Sequence, residues 1–353
     1  MKRLPNLNPL RFVLAFLVLI FHLPQLSRNQ GLPYFNGLPI FNKGIEAVYM
    51  FFVLSGFLII RQIYVAKTNH TFSIKNFYTR RALRILPLYF LIVAFGLFFY
   101  NVVLPFLGIP FEINYEAKDT VLLLLFPNVF SGLFEPGGIL EILWSIGIEE
   151  QFYLTIAPLM LLIKNRRVVI VLTVITVLYL LLFHLDFFEV LRRFQFVYFF
   201  ILFGGIIAVL EAQEKLLFLK KSKIISMGIV VLIIFYFFTD WLKCDSRILY
   251  NLITAILFSL FIHAISSHPK GFKVRNKLLN YLGSISYGIY MYHVIVLNAM
   301  VFLFLQLNKI VVFNDVLTIV LLNVMTLVFT ILLAHVSYKY FETYFLKLKN
   351  KYR

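Results

Sequence analysis

The 353-residue chain is 61% hydrophobic and only 14% charged, with a mean hydropathy of +0.89. Water-soluble domains are nearer half apolar and a quarter charged, so this composition excludes a fold that buries its apolar side chains without lipid. The net charge of +17 does not indicate nucleic acid, because the basic residues sit in short segments between apolar runs, where a membrane protein places them for orientation. The single cysteine, Cys244, excludes an intramolecular disulfide and a Cys-rich metal site.

Apolar runs long enough to span a bilayer as helices recur near residues 9–26, 45–66, 85–108, 139–163, 167–185, 194–211, 222–242, 247–268, 281–306 and 316–346. The expectation is an all-α polytopic membrane protein with about ten transmembrane helices. A further run, 119–134, is interrupted by Pro127, Asn128 and Gly132 and reads as re-entrant or interfacial. The first run follows Lys2 and Arg3, but no small-residue cleavage site follows it, so it is kept as a helix. With the N-terminus in the cytoplasm, most of the 33 Lys and Arg fall on inner segments. Ten spans with both termini cytoplasmic therefore satisfy the positive-inside rule. No repeat or linker divides the chain, which reads as one integral-membrane domain over 1–353 with no appended soluble domain.

Ionisable groups inside apolar helices cost several kcal/mol and point to function. In the first run, Arg11 and His22 lie eleven residues apart, on nearly one face and about 16 Å along the helix. They read either as a functional pair or as a snorkelling arginine and a helix-end histidine. The second run holds Ser55 and Gly56, open to close helix packing as well as to a site. Arg80, Arg81 and Arg84 at i+3 and i+4 spacing offer a cationic turn suited to phosphate, or a plain inner-face anchor. In the fourth run, Trp144-Ser145-Ile146-Gly147-Ile148-Glu149-Glu150-Gln151-Phe152-Tyr153 places two carboxylates near mid-membrane, with Ser145, Glu149 and Tyr153 on one face. The ninth run carries Ser286, Tyr287, Tyr290 and His293, the last either a hydrogen-bonded core histidine or a catalytic one. Glu342 in the tenth run reads as a structural counter-charge to Arg11. There is no metal motif, and general-base chemistry by a histidine beside a glutamate is the simplest reading.

These motifs resemble the acyltransferase 3 family: Arg11-x10-His22, FFVLSGF at 51–57, RRALRILP at 80–87, WSIGIEEQFYL at 144–154, SISYGIYMYH at 284–293 and the closing Tyr340-Phe341-Glu342. The resemblance implies a bacterial multi-pass O-acyltransferase of the cytoplasmic (inner) membrane. It would move an acyl group, often acetyl, from acyl-CoA to a hydroxyl of an envelope or surface carbohydrate such as O-antigen, exopolysaccharide, peptidoglycan or a lipid-linked glycan. It puts the essential pair on Arg11 and His22, acyl-CoA contacts on Arg80, Arg81 and Arg84, and the family glutamate on Glu149. Ser55, Trp144, Ser145, Glu150, Tyr153, Tyr287, Tyr290 and His293 would line the site, with acyl-CoA the donor co-substrate and no metal. The chain departs from the pattern at Tyr49, where many members are acidic; Glu46 lies one turn earlier and receives no catalytic role. Larger members append a secreted hydrolase-like domain, so here transfer is expected to be completed within the membrane domain. The alternative class is a proton-coupled transporter or flippase using the same buried His, Glu and Arg.

Overall fold

The computed structural model describes residues 4–242, 244–267, 274–311 and 313–352. Lys2, Arg3, Lys270, Lys273 and Arg353, which entered the charge pattern, lie outside them. Among the described residues every regular element is helical. The principal helices are α1 (Leu7–Asn29), α2 (Gly44–Thr68), α3 (Ile74–Phe98), α4 (Pro127–Phe134), α5 (Trp144–Leu162), α6 (Val168–His184), α7 (Tyr198–Ala212), α8 (Lys223–Phe238), α9 (Arg247–Ser267), α10 (Lys277–Ser284), α11 (Ser286–Leu307) and α12 (Asp315–Ser337).

Each of the ten expected runs contains a helix, but among the described residues seven continuous helices are long and apolar enough to cross a membrane. A bent pair, Asp186–Arg193 with Tyr198–Ala212 at 83°, raises this to eight. The chain is thus a multi-pass membrane protein whose regular elements, among the described residues, are all helical. The boundaries differ from the expected runs in two informative places. α3 starts at Ile74, so Arg80, Arg81 and Arg84 belong to that helix and do not precede it. The ninth run is two helices, α10 and α11, separated at Ile285.

Helix starts follow local chemistry. Ser73, Asn276 and Asn314 accept from the main-chain N–H three residues on, at the starts of α3, α10 and α12. Pro24, Pro87 and Pro158 sit inside α1, α3 and α5, tolerated in a membrane because neighbouring groups satisfy the freed carbonyls.

Two compact units emerge. The first holds Met1–Phe51, Leu219–Lys243 and Ala264–Thr343; the second holds Phe52–Phe218, Cys244–His263 and Tyr344–Arg353. In the first, α1 packs on α10 and α11, and α11 on α12. A Cβ on Gly283 would fall 1.9 Å from the Asn8 carbonyl oxygen, so backbone meets backbone there. Asn6 ties this unit further, donating to Ile265 O and accepting from Val274 N.

In the second unit α2 and α7 cross on glycine. A Cβ on Gly56 would lie 1.8 Å from the Ile201 oxygen, and one on Gly204 1.9 Å from the Val53 oxygen. This is the small-residue packing that brings membrane helices into close contact. At the end of α2, Lys67 Nζ donates to the carbonyls of Met160, Leu161 and Ile163, which the end of α5 leaves without intrahelical partners.

Candidate active site

In the first unit His22 and His293 meet. Their ring centroids are 5.1 Å apart in an edge-to-face arrangement. His22 Nδ1 lies 2.9 Å from the Val18 carbonyl oxygen one turn back in α1. A carbonyl only accepts, so Nδ1 carries a proton, and in the neutral imidazole Nε2 keeps its lone pair. His293 repeats the device, its Nδ1 donating to Tyr290 O. It is 1% exposed, and its buried Nε2 has no hydrogen-bond partner among the described residues. The Tyr290 ring lies tilted against His293 with centroids 5.6 Å apart, and Phe51 meets Tyr290 edge-to-face at 6.4 Å. Arg11, on the same helix as His22, donates to Asn8 Oδ1 at 3.1 Å. Ser286 donates to Gly283 O, and Tyr287 is half-buried on α11. Glu342 is buried in a π-helical turn, Tyr338–Glu342, and accepts from Ser337, which accepts from Tyr292. Glu46 lies 3.7 Å from Lys43.

In the second unit a chain of hydroxyls ends on Glu149. Tyr153 OH donates to Glu149 Oε2 at 2.8 Å. Its only proton is then used, so Ser55 Oγ, at 2.6 Å, is the donor to Tyr153. The i, i+4 spacing of Glu149 and Tyr153 makes the first contact; helix packing supplies Ser55 from α2. Glu149 thus has a partner on its own helix, and His22 an orienting group on its own.

The three arginines part company. Arg80 donates to the Tyr352 carbonyl at 3.1 Å. Arg81 donates to Gln62 Oε1 at 3.0 Å and lies over the rings of Phe77 and Tyr153, 5.8 and 5.6 Å from their centroids. Arg84 is half-buried and is near enough for its charge to act on Glu149. The expected single cationic face is therefore divided, because adjacent residues on a helix point about 100° apart. Trp144 meets Phe52 edge-to-face at 5.8 Å, and Ser145 donates to Ile142 O.

Several polar residues went unnoticed in the sequence. Gln151 is a hub: its amide donates to Leu125 O and Asn128 Oδ1, both at 2.8 Å, and accepts from Tyr198. Arg61 lies inside α2 beside Glu211 at 3.8 Å, and Glu211 meets His263 at 3.2 Å. Ionisable residues inside three apolar runs were the available signal. No group of three or more potential metal ligands occurs among the described residues.

The comparisons agree with these motifs. The profile of the acyltransferase 3 family, described as an acyltransferase domain, matches residues 4–335, and the chain belongs to that family. It is 28% identical over 323 residues to the peptidoglycan O-acetyltransferase OatA of Listeria monocytogenes, covering 83% of this chain and 49% of that protein. It is 26% identical over 387 residues to a Staphylococcus aureus (strain COL) protein provisionally named an O-acetyltransferase, covering 98% and 58%. A Haemophilus influenzae protein of uncharacterised function is 34% identical over 146 residues, covering 36% and 55%. The chain spans about half the length of the curated relatives it matches. No solved structure matches it.

Proposed function

We propose that this chain is a bacterial inner-membrane O-acyltransferase that moves an acetyl or related acyl group from acyl-CoA to a hydroxyl of an envelope carbohydrate. The observation that carries the chemistry is the tautomer of His22. With Nδ1 held by Val18 O, its Nε2 is a base ready for a hydroxyl proton. The acceptor oxygen loses its proton to Nε2 and attacks the thioester carbonyl carbon. The C–S bond breaks as the tetrahedral adduct collapses, and the thiolate leaves with the proton from the imidazolium. No net proton is consumed.

The other residues take roles consistent with their surroundings. Arg11 shares the α1 stripe with His22 and supplies positive charge to the site. Glu149, bonded through Tyr153 to Ser55, is a required carboxylate, and Arg81 and Arg84 hold the anionic part of the donor. The name of the Listeria relative supports a glycan acceptor, free or lipid-linked.

Ten spans with both termini in the cytoplasm fit this reading. To the seven long apolar helices and the bent pair we add α5 and α8. α5 is 19 residues long, and its Glu149-Glu150-Gln151 lowers its hydropathy. α8 is short but apolar. An even count returns the chain to the side it started from.

The test is transfer of labelled acetyl from acetyl-CoA to glycan in membranes. His22→Ala, expressed and inserted at the wild-type level, should lose about 10²–10⁴-fold in rate, the usual contribution of a general base. Glu149→Gln should also fall well below wild type. Normal transfer by His22→Ala would end the mechanism, whereas substrate movement without covalent labelling would identify a transporter.

A further inference from the structure

In the first unit, the start of α2 carries a mixed-charge cluster that the transfer chemistry does not use. Lys43 stands just before α2, at the end of the 3-10 turn Pro39–Asn42, and this turn packs on α8. Asp240 and Trp241 follow the end of α8. The Lys43 ammonium lies 3.7 Å from Glu46 Oε1, one turn on, and 3.8 Å from Asp240 Oδ1. It also sits over the Tyr236 ring, 5.1 Å from the centroid. With a cytoplasmic N-terminus and α1 spanning, the start of α2 faces outward, and the end of α8 with it.

This cluster is not a closed clamp. A charge-assisted N–H···O bond runs about 2.7–2.9 Å, so neither carboxylate takes a hydrogen bond from Lys43. The lysine side chain is only 13% exposed, and among the described residues its ammonium makes no hydrogen bond. Three donors are thus largely withdrawn from water without acceptors, which costs free energy. Asp240, by contrast, is 45% exposed, so one wall of the gap is open. Trp241 beside it is 44% exposed, its ring tilted against Phe235 at 5.9 Å.

A donor and an acceptor 3.8 Å apart leave room for one oxygen about 2.8 Å from each. A hydroxyl suits that place, because it accepts and donates on a single atom. A carboxyl oxygen takes its proton whether or not the group is ionised. The open indole face beside it suits the C–H groups of a pyranose ring. A sugar offers the hydroxyl and the apolar ring face together. We propose that Lys43, Asp240 and Trp241 form a subsite for a sugar ring of the acceptor, apart from the hydroxyl that is acylated. Glu46 holds the lysine from the other side. The cluster stands beside the base. A Cβ on Gly44, next to Lys43, would fall 2.3 Å from Phe21 Cγ, and the Phe21 ring meets His22 edge-to-face at 5.1 Å. The inference rests on the acyltransferase reading for the glycan, and the experiment separates the two.

Binding to the whole chain in detergent is measured by calorimetry for N,N′,N″-triacetylchitotriose, cellotriose, maltotriose and acetyl-CoA. At least one trisaccharide should bind wild type. Lys43→Met and Asp240→Ala should each weaken it about tenfold or more, the loss of a hydrogen bond to a charged group. Trp241→Ala should weaken it too, and Trp241→Phe, which keeps a ring face, should lose less. Melting temperatures near wild type show that the variants are folded, and their acetyl-CoA affinity should be unchanged. Asp240→Ala leaves Lys43 beside Glu46, so it carries the test if Lys43→Met does not fold. Equal trisaccharide affinity in wild type and Asp240→Ala would make the cluster an ion clamp bridged by water and overturn the subsite. Binding of no trisaccharide to wild type would also overturn it, and acetyl-CoA binding in the same sample would leave the acyltransferase reading standing. Trisaccharide binding with the expected dependence, but no labelled acetyl passed from acetyl-CoA to glycan in membranes, would keep the subsite and end the acyltransferase reading.

Discussion

His22 and His293 are each fixed by a main-chain carbonyl within a turn of their own helix. That arrangement needs no distant residue to set the tautomer, and it leaves both Nε2 atoms for chemistry. The arginines behave differently. Arg81 is built into the protein, bonded to Gln62 and packed on Phe77 and Tyr153, so Arg81→Ala should lower stability as well as donor binding. For Arg84 no comparable hydrogen bond or ring contact occurs among the described residues, and Arg84→Ala should raise the donor KM about tenfold while leaving the melting temperature near wild type. Arg84→Lys keeps the charge but loses the fork and should restore only part of the affinity. Steady-state kinetics with acceptor held saturating reads this directly; an unchanged donor KM in both Arg84 variants would return the residue to membrane anchoring. The sequence places His22, Glu149 and His293 along their own helices, because helical rise converts residue number into distance. Which ring stands beside which was not, since that depends on how helices rotate about their axes.

At the scale of elements, glycine decides where helices touch. Gly56 and Gly204 let α2 and α7 approach until main-chain atoms meet. Gly56→Ala should therefore destabilise the protein by about 1–3 kcal/mol or more, because a backbone oxygen has nowhere to go. Gly228 in α8 is the control, with nothing within 4 Å of its Cβ position. Gly228→Ala should be neutral or stabilising by up to about 1 kcal/mol through helix propensity alone. Thermal unfolding in one detergent compares the two, and equal effects would remove the packing argument. Gly56 was visible in the sequence as a small residue in an apolar run. Its partner segment around Ile201 was not, because nothing in local periodicity says which helix lies opposite.

For the whole molecule, charge and apolar length set an expectation of topology that labelling tests. Cys244 lies between α8 and α9 and is half-buried. With ten spans and a cytoplasmic N-terminus this loop faces outward. A membrane-impermeant thiol reagent should label Cys244 in intact spheroplasts and fail to label Cys244→Ser. Labelling that appears only after permeabilisation would reverse the orientation or change the span count.

Composition by itself determined that the chain lives in lipid, since so apolar a polymer has no other solvent. Motif order determined the family, because the same residue types recur in one sequence across nearly the whole length. The sequence also exposed Glu149 and Glu150 as costly groups in an apolar helix. Only tertiary structure separated their fates: Glu149 bonds to Tyr153, whereas Glu150 keeps a buried oxygen without a donor. Adjacent residues on a helix face different neighbours, and those neighbours come from distant parts of the chain. The same reason explains the divided arginines and the meeting of His22 with His293. Periodicity fixes the position of a side chain on its own helix; the packing of helices against each other fixes what it meets.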